Sequence, residues 1–292
     1  MLGVTSDSAL YAGSARYYRR GRADYSAELP SMLAEHLGLD GSGRFIDEGC
    51  GPGILTIPLA PLFAEVFGLD PDPAMLVEAQ RYADEAGACN ARFLEARAED
   101  TASVLTGRFR LIGFAQSFHW TDRERVAAMA FDLLEPGGTL ILVHHTLPAG
   151  GRAPIPEIAA GSTPPPPGSE PPIPFGDISA LRDRYLGPVL RAGNGIRNIP
   201  RERHRDLLAR TRFGRPERFL LPGRRNLIRE VDDVVANVFA QSFSAPHLFG
   251  PRLEQFTAEL RELLAAVSPT GRFWEWPGDT EVLVARKRAG DA

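Results

Sequence analysis

Three glycines, Gly49, Gly51 and Gly53, lie within five residues, and a second apolar run after them ends on a single acid, Asp70. Glycines allow a sharp turn and let a ligand approach the backbone, because no Cβ stands in the way. A helix that follows such a turn presents free N–H groups at its start. Asp70, about twenty residues beyond the glycines, is placed to accept hydrogen bonds from a ribose diol. The stretch 44–70 therefore predicts strand, glycine turn, helix, strand and acid, with a nucleoside as the ligand.

The glycine spacing distinguishes between two kinds of nucleoside cofactor. A dinucleotide fingerprint, G-x-G-x-x-G, would place its third glycine at position 54, where Ile54 stands. The pattern here is the shorter Asp47-x-Gly49-x-Gly51-x-Gly53, and it resembles motif I of the class I S-adenosylmethionine (SAM) methyltransferases. That resemblance implies SAM as the cofactor and Asp70 as the acid that binds its ribose.

Three further segments resemble the same family and imply cofactor contacts. Pro71 and Met75 follow the acid, and the resemblance implies that Met75 lies against the adenine face. The pair Ala98 and Glu99 follows the third strand, and the resemblance implies that it binds the polar edge of adenine. The segment QSFHWTD after the fourth strand resembles a signature of a group of small-carboxylate and natural-product enzymes, the trans-aconitate methyltransferase-like group. It implies Gln116 as a cofactor contact and Trp120 as an acceptor contact. A family turn of the type L-x-P-G-G follows at 134–138.

The N-terminal segment YYRRGRADYSAEL resembles the family's YxxGRPPYPxEL, a lid over the cofactor, with Ala23 and Ser26 where prolines usually stand. The resemblance implies Tyr18 and Arg20 as cofactor or lid contacts, and Tyr11 is taken as an acceptor contact. Packing of these side chains against the first helix is the alternative.

Histidines are the candidate bases, because an acceptor that must lose its proton early needs one, whereas a carboxylate acceptor does not. The candidates are His119 after the fourth strand and His144 or His145 at the end of the fifth. Neighbouring residues of a strand point to opposite faces, so only one of the latter pair can enter the pocket. For His119 the alternative is a buried histidine that shapes the pocket. His247 is a weaker acceptor contact, His36 and His204 are expected at the surface, and no metal site is expected.

The charge is unevenly distributed along the chain. The net charge is −4, yet residues 181–229 contain fourteen Arg and four acids, a local charge of +10. Such a stretch could bind nucleic acid or an anionic substrate, but in an arginine-biased sequence without interleaved aromatic residues a solvated helical face is favoured. With two cysteines, no long apolar run and no signal-peptide core, the chain is expected to be cytoplasmic and not to bind a membrane.

The resemblance implies a Rossmann-like, doubly wound α/β sheet of seven strands with a helical cap. We expect an N-terminal lid segment (1–29), a SAM-binding core (30–147), a proline-rich insertion (148–176), and a helical cap with the two closing strands (177–292). The expected function is methyl transfer to a small-molecule acceptor, carboxylate-bearing or a natural-product intermediate. Two alternatives stay open: an RNA methyltransferase that uses residues 181–229, and an enzyme that binds SAM but catalyses a non-methylating reaction such as a cyclisation. The oligomeric state is not predicted.

Overall fold

A computed structural model describes residues 10–147, 161, 168–192, 195–196 and 202–290 of the 292-residue chain. Most of the predicted proline-rich insertion lies outside these residues. Among the described residues, no helix is long and apolar enough to cross a membrane.

A seven-stranded sheet forms the centre of the molecule. Its strands are β1 (Arg44–Glu48), β2 (Glu65–Asp70), β3 (Ala91–Glu95), β4 (Phe109–Ala115), β5 (Leu134–His145), β8 (Glu217–Leu221) and β11 (Thr280–Arg286). Their order is β3-β2-β1-β4-β5-β11-β8; β1 to β5 are parallel, and β11 runs antiparallel to both of its neighbours. The predicted fold class is confirmed, and the last strand lies antiparallel between β5 and β8.

Helices cover both faces of the sheet and build a cap beside it. Two short antiparallel pairs lie outside the sheet: β6 (Arg191–Ala192) with β7 (Gly195–Ile196), and β9 (Leu227–Glu230) with β10 (Arg272–Glu275). The helices are α1 (Ala15–Gly21), α2 (Leu29–Leu37), α3 (Thr56–Leu59), α4 (Pro73–Ala86), α5 (Thr101–Val104), α6 (Arg123–Leu133), α7 (Phe175–Leu186), α8 (His204–Ala209), α9 (Val231–Phe239) and α10 (Leu253–Val267). Short 3₁₀ turns cover Ala60–Leu62, Ala98–Asp100, Phe118–Trp120, Ser242–Ser244 and Pro246–Arg252.

The alternation of side chains along β1 explains why both faces of the sheet are covered. Phe45 packs into one buried cluster with Leu33 and Val143, whereas Ile46 packs into another with Phe114 and contributes to the opposite side. Successive strand residues point to opposite faces, so two apolar clusters require a helical layer on each. The doubly wound arrangement follows.

The cap has its own apolar core and holds the N-terminal segment. Phe239, Phe249 and Phe256 lie at its centre. The first helix packs on α9 so closely that a Cβ added at Gly21 would stand 2.4 Å from the backbone carbonyl of Ala236. Only glycine fits there, and the N-terminal segment is therefore anchored to the cap.

Several predicted bounds differ from the observed ones. The helix predicted after Ile178 ends at Leu186, because Gly187 adopts a φ of +79°. The helix predicted from Glu230 to Ser242 spans Val231–Phe239, and the β9–β10 pair was not predicted. The helix after the glycine turn is a single turn, α3, because Pro58 and Pro61 cannot donate the backbone hydrogen bonds that would extend it.

Candidate functional site

A cleft opens at the carboxyl ends of β1, β2 and β4, where open parallel sheets bind ligands. The space between its walls, counted out into the open mouth, is about 730 Å³. Three groups of residues line it. From the glycine turn and the end of β2 come Glu48, Gly49, Gly51, Asp70, Pro71, Asp72 and Met75; from the segments after β3 and β4 come Arg97, Ala98, Glu99, Ala115, Gln116, Ser117, Trp120 and Thr121; from the N-terminal segment come Leu10, Tyr11 and Tyr18.

The glycine turn needs its glycines for two separate reasons. Gly49, Gly51 and Gly53 have φ values of +65°, +52° and +82°, a region that side chains with a Cβ rarely adopt. At Gly49 a Cβ would also stand 2.6 Å from the Cβ of Ser117. Gly49 and Gly51 line the cleft as predicted, whereas Gly53 faces Ile57 and does not reach it.

The two acids of the motif have different positions. Asp70 lines the cleft, and its carboxylate accepts one hydrogen bond from the Gly51 N–H and one from the Asp72 N–H, each 2.9 Å long. Burial raises the pKa of Asp70 to about 6. Asp47, which was predicted as a cofactor contact, is turned away from the cleft and accepts from the Thr56 hydroxyl at 2.6 Å. Its buried carboxyl, with a pKa raised to about 7 by desolvation, ties the turn to α3.

The opposite wall of the cleft combines apolar and acidic groups. Met75 is 2% exposed, and Ala98 lies on the buried side of the turn 98–100. Glu99 accepts from the Asp122 N–H at 2.8 Å through Oε1, and its Oε2 is buried with no hydrogen-bond partner among the described residues. Glu48, which was not predicted, contributes a second such oxygen.

Three aromatic side chains cover the cleft. Tyr11 meets Tyr18 and Trp120 edge to face, at ring-centroid distances of 5.7 and 6.4 Å. Burial raises the pKa of Tyr11, so its hydroxyl stays protonated near neutral pH. Both tyrosines and Trp120 thus line the cleft, and their contacts with cofactor or acceptor stay a prediction.

Arg20 and His247 do not line the cleft, contrary to the prediction. Arg20 is exposed and forms an ion pair of 2.6 Å with Asp233 of α9. The exposed ring of His247 lies 3.0 Å from the Ala12 carbonyl and ties the cap to the N-terminal segment. Both contacts hold the segment that carries the lid tyrosines to the cap.

Gln116 has an unusual backbone at the floor of the cleft. It is the one non-glycine with a positive φ, +59°, among the described residues. Its N–H donates to the Val143 carbonyl at 3.1 Å, which holds the turn after β4 against β5. Non-glycine residues in this region store strain that surrounding structure must offset, and such residues cluster at ligand sites.

None of the three predicted catalytic histidines is among the residues that line the cleft. His119 lies behind Trp120, with ring centroids 4.7 Å apart. His144 and His145 point to opposite faces of β5 as expected: His144 is 6% exposed, and His145 stacks on Tyr25 while its Nε2 lies 3.2 Å from the Ala23 carbonyl. Burial lowers the pKa of each of these two to about 4, so both are neutral imidazoles near pH 7.

His204, expected at the surface, is partly buried and joins this group. Its ring stacks on His144 at 5.2 Å and lies 6.5 Å from the His119 ring, and burial lowers its pKa well below the usual value. Three imidazoles from β5, α8 and the turn after β4 therefore form a row beside the cleft. Among the described residues no group of three or more His, Cys, Asp or Glu could hold a metal ion.

The basic stretch 181–229 is neutralised in part. Six of its arginines form ion pairs with carboxylates, several of which belong to other parts of the chain. The pair Arg229–Glu275, at 2.7 Å, is buried on both sides. The paired arginines are those at 182, 184, 210, 212, 218 and 229.

Comparisons with known proteins agree with this geometry. A family model described as "Methyltransferase domain" matches residues 45–138, the part that contains the glycine turn, Asp70, Glu99 and Trp120. The "Probable S-adenosylmethionine-dependent methyltransferase" of Saccharomyces cerevisiae is 31% identical over 125 residues, which are 42% of this chain and 42% of that protein. The "Ubiquinone biosynthesis O-methyltransferase" of Azorhizobium caulinodans is 30% identical over 118 residues, which are 38% of this chain and 46% of that protein.

The chain thus spans less than half of the length of these two relatives. Among solved structures, a candidate type II methyltransferase from Anaeromyxobacter dehalogenans is similar with a TM-score of 0.51 and 22% identity, over 91% of this chain and 98% of that one. This likeness supports the fold.

Proposed function

We propose that this chain, whose residues 45–138 form a SAM-dependent methyltransferase domain, transfers a methyl group from SAM to a small-molecule acceptor. The observation that carries the proposal is the cleft at the strand ends. It combines the glycine turn, a carboxylate at the tip of β2 and the buried acceptor oxygens of Glu48 and Glu99. Curated relatives are named as SAM-dependent and O-methyltransferases.

The residues of the cleft fit an adenosine-bearing cofactor. Both oxygens of Asp70 accept one backbone hydrogen bond each, and a carboxylate oxygen has room for a second. Asp70 would therefore hold the ribose hydroxyls. Met75 offers an apolar surface for the base, and the partnerless Oε2 of Glu99 offers an acceptor for its amino group. Gly49, Gly51, Pro71, Ala98 and Gln116 would line the same ligand.

When bound, the cofactor would supply a methyl group attached to its sulfonium sulfur. The chain would hold the acceptor in position and exclude water, and these two effects account for much of the rate enhancement in such displacements. Tyr11, Tyr18 and Trp120 cover the cleft and would do both.

His119 and His144 are the candidate bases for an acceptor that must lose a proton. His119 adjoins Trp120, and neutral His144 has a buried Nε2 without a hydrogen-bond partner in the described part of the chain. His145 is the weaker candidate, since its ring is engaged by Tyr25 and the Ala23 carbonyl. A carboxylate acceptor would need neither base.

The pairing of the basic stretch favours a small acceptor over RNA. Arginines that already hold carboxylates are less free to bind phosphates, and the aromatic lid favours a closed pocket over an open groove. A natural-product or carboxylate-bearing acceptor fits such a pocket.

The first experiment is calorimetric titration of the purified chain with S-adenosylhomocysteine (SAH), with NAD as the control. Binding of SAH alone is expected, and binding of neither would overturn the assignment. An acceptor screen read by product mass then follows, since methyl transfer adds one CH₂ and a cyclisation adds none. With the acceptor in hand, His119→Ala should keep the affinity for SAH and lose turnover; full turnover would limit His119 to shaping the pocket.

A further inference from the structure

Glu48 is a fully buried glutamate in the wall of the cleft. It is the last residue of β1, next to Gly49, and its relative exposure is 0%. Its neighbour Asp47 points to the other side of the sheet, toward Thr56. Glutamates are almost never fully buried unless they are paired, and no ion pair of Glu48 exists among the described residues.

The hydrogen bonds around Glu48 indicate where a proton lies. The Thr101 hydroxyl lies 2.7 Å from Glu48 Oε1 and 3.1 Å from the Ala98 carbonyl. A hydroxyl has one hydrogen to donate, so it cannot serve both acceptors well. If Oε1 carries a proton, it donates to the Thr101 oxygen, and the Thr101 hydroxyl donates to Ala98. The neutral acid therefore satisfies all three groups.

The surroundings also favour the neutral acid. Desolvation raises the pKa of Glu48 to about 8, and the charges of two nearby acids, Asp47 on its own strand and Glu99 on the turn 98–100, act in the same direction. The hydrogen bond with Thr101 lowers the pKa of Glu48 and so acts against them. Burial and the neighbouring acids thus favour the protonated form of Glu48.

With the proton on Oε1, the other oxygen of Glu48 is an uncharged acceptor. Oε2 is buried and has no hydrogen-bond partner in the described part of the chain. Glu48 and Glu99 line the same cleft, and Glu99 Oε2 is also without a partner there. Two buried acceptors without partners among the residues that line one cleft favour a ligand that carries hydrogen-bond donors, since an unmade buried hydrogen bond costs free energy.

We propose that Glu48, neutral in its buried position, is a further recognition residue of the cleft, whose Oε2 accepts a hydrogen bond from the exocyclic amino group of adenine. The proposal rests on the proposed function, which brings adenosine into the cleft. Glu99 Oε2 accepts the second hydrogen of the same amino group. Because Glu48 is uncharged, the two acceptors share one amino group without the repulsion of two carboxylates. A purine with a carbonyl in place of the amino group would set a hydrogen-bond acceptor against the acceptor oxygens of Glu48 and Glu99, so neither hydrogen bond could form.

The test compares SAH with S-inosylhomocysteine, in which the amino group is replaced by a carbonyl, by calorimetry on the full chain. Wild type should bind SAH more tightly. Glu48→Met should weaken SAH binding by about 3- to 10-fold, the range of one net hydrogen bond, with a smaller loss for S-inosylhomocysteine. Glu48→Gln should stay within about twofold of wild type, since its amide donates to Thr101 and its oxygen replaces Oε2. Glu95→Met is the matched control, because Glu95 is exposed at the end of β3 and does not line the cleft.

Unchanged SAH affinity in Glu48→Met, or equal losses for both ligands, would overturn the proposal. A loss in Glu48→Gln as large as in Glu48→Met would also overturn it, because it would show that the charge matters. Should Glu48→Met not fold, Glu48→Leu carries the same comparison. Failure of the wild type to bind SAH would instead overturn the proposed function, so the two failures are distinguishable.

Discussion

His144 at the end of β5 stacks on His204 at the start of α8, with ring centroids 5.2 Å apart and ring planes 19° apart. Two protonated imidazoles would repel each other in this arrangement. Burial lowers both pKa values; His145 lowers that of His144 further, and His144 and His119 lower that of His204 further. The stack therefore depends on both rings being neutral, and it joins the cap element α8 to the sheet.

The stack predicts a pH-dependent stability. The pKa of His144 lies near 4 in the folded state and near 6.5 when unfolded, and that of His204 is also lowered. Below pH 6.5 the unfolded chain binds more protons, so the free energy of unfolding falls as the pH drops toward 4, by up to about 1.4 kcal/mol per pH unit for each histidine. His204→Phe keeps an aromatic ring and removes one titrating group, so this fall should become shallower. Denaturant unfolding at pH 7, 5.5 and 4.5 measures the free energy of unfolding of wild type and His204→Phe. An equal fall with pH in the two proteins would contradict the prediction.

Asp70 is expected to bind the ribose. Asp70→Asn keeps one acceptor oxygen but removes the charge, so the affinity for SAH should fall by about 10- to 100-fold, as for a hydrogen bond to a charged group. The nucleoside 5′-methylthioadenosine, which has the same ribose, should lose the same factor in a calorimetric titration. Glu95→Gln, opposite Asp70 in the β2–β3 register, is the control. An unchanged affinity for both ligands would count against the ribose assignment.

Replacement by alanine should affect SAH binding differently at two residues that lie two positions apart in the lid segment. Arg20 pairs with Asp233 outside the cleft, whereas Tyr18 lines the cleft. Arg20→Ala should leave SAH affinity within about twofold and cost about 0.2–1 kcal/mol of stability, as for an exposed ion pair. Tyr18→Ala should weaken SAH binding. Calorimetry with thermal unfolding separates the two effects, and the prediction is wrong if Arg20→Ala weakens binding more than Tyr18→Ala.

The strands of the sheet were predictable because each buried strand is a short apolar run between turn residues. The sequence predicts strands at Ala91–Glu95, Phe109–Ala115, Glu217–Leu221 and Thr280–Arg286, and β3, β4, β8 and β11 have these bounds. The fifth strand, predicted from Thr139 to His144, is longer, since it begins at Leu134 within the glycine-bearing turn and passes an irregularity opposite Phe109 and Leu111.

The orientation of single side chains was less predictable. Arg20 and Tyr18 belong to one motif, and the acid that draws Arg20 away from the cleft, Asp233, is 213 positions further along the chain. His204 reaches His144 only through the docking of α8, which no local pattern encodes. The burial of Glu48 had a signal, since an acid at the end of a buried parallel strand next to a glycine turn is uncommon.

Gly49 offers a test of the glycine turn with a matched control. Gly49 and Gly87 have nearly equal φ values, +65° and +67°, so alanine costs similar backbone strain at both. A Cβ at Gly87 meets nothing within 4 Å, whereas one at Gly49 stands 2.6 Å from the Ser117 Cβ. Gly49→Ala should therefore lower the free energy of unfolding by about 1–3 kcal/mol more than Gly87→Ala, the cost of overpacking. It should also weaken SAH binding, because Ser117 donates to the Glu48 carbonyl and holds the cleft floor. Denaturant unfolding and calorimetry of both variants decide the matter: equal destabilisation with unchanged SAH affinity would mean that the contact between Gly49 and Ser117 does not shape the cleft.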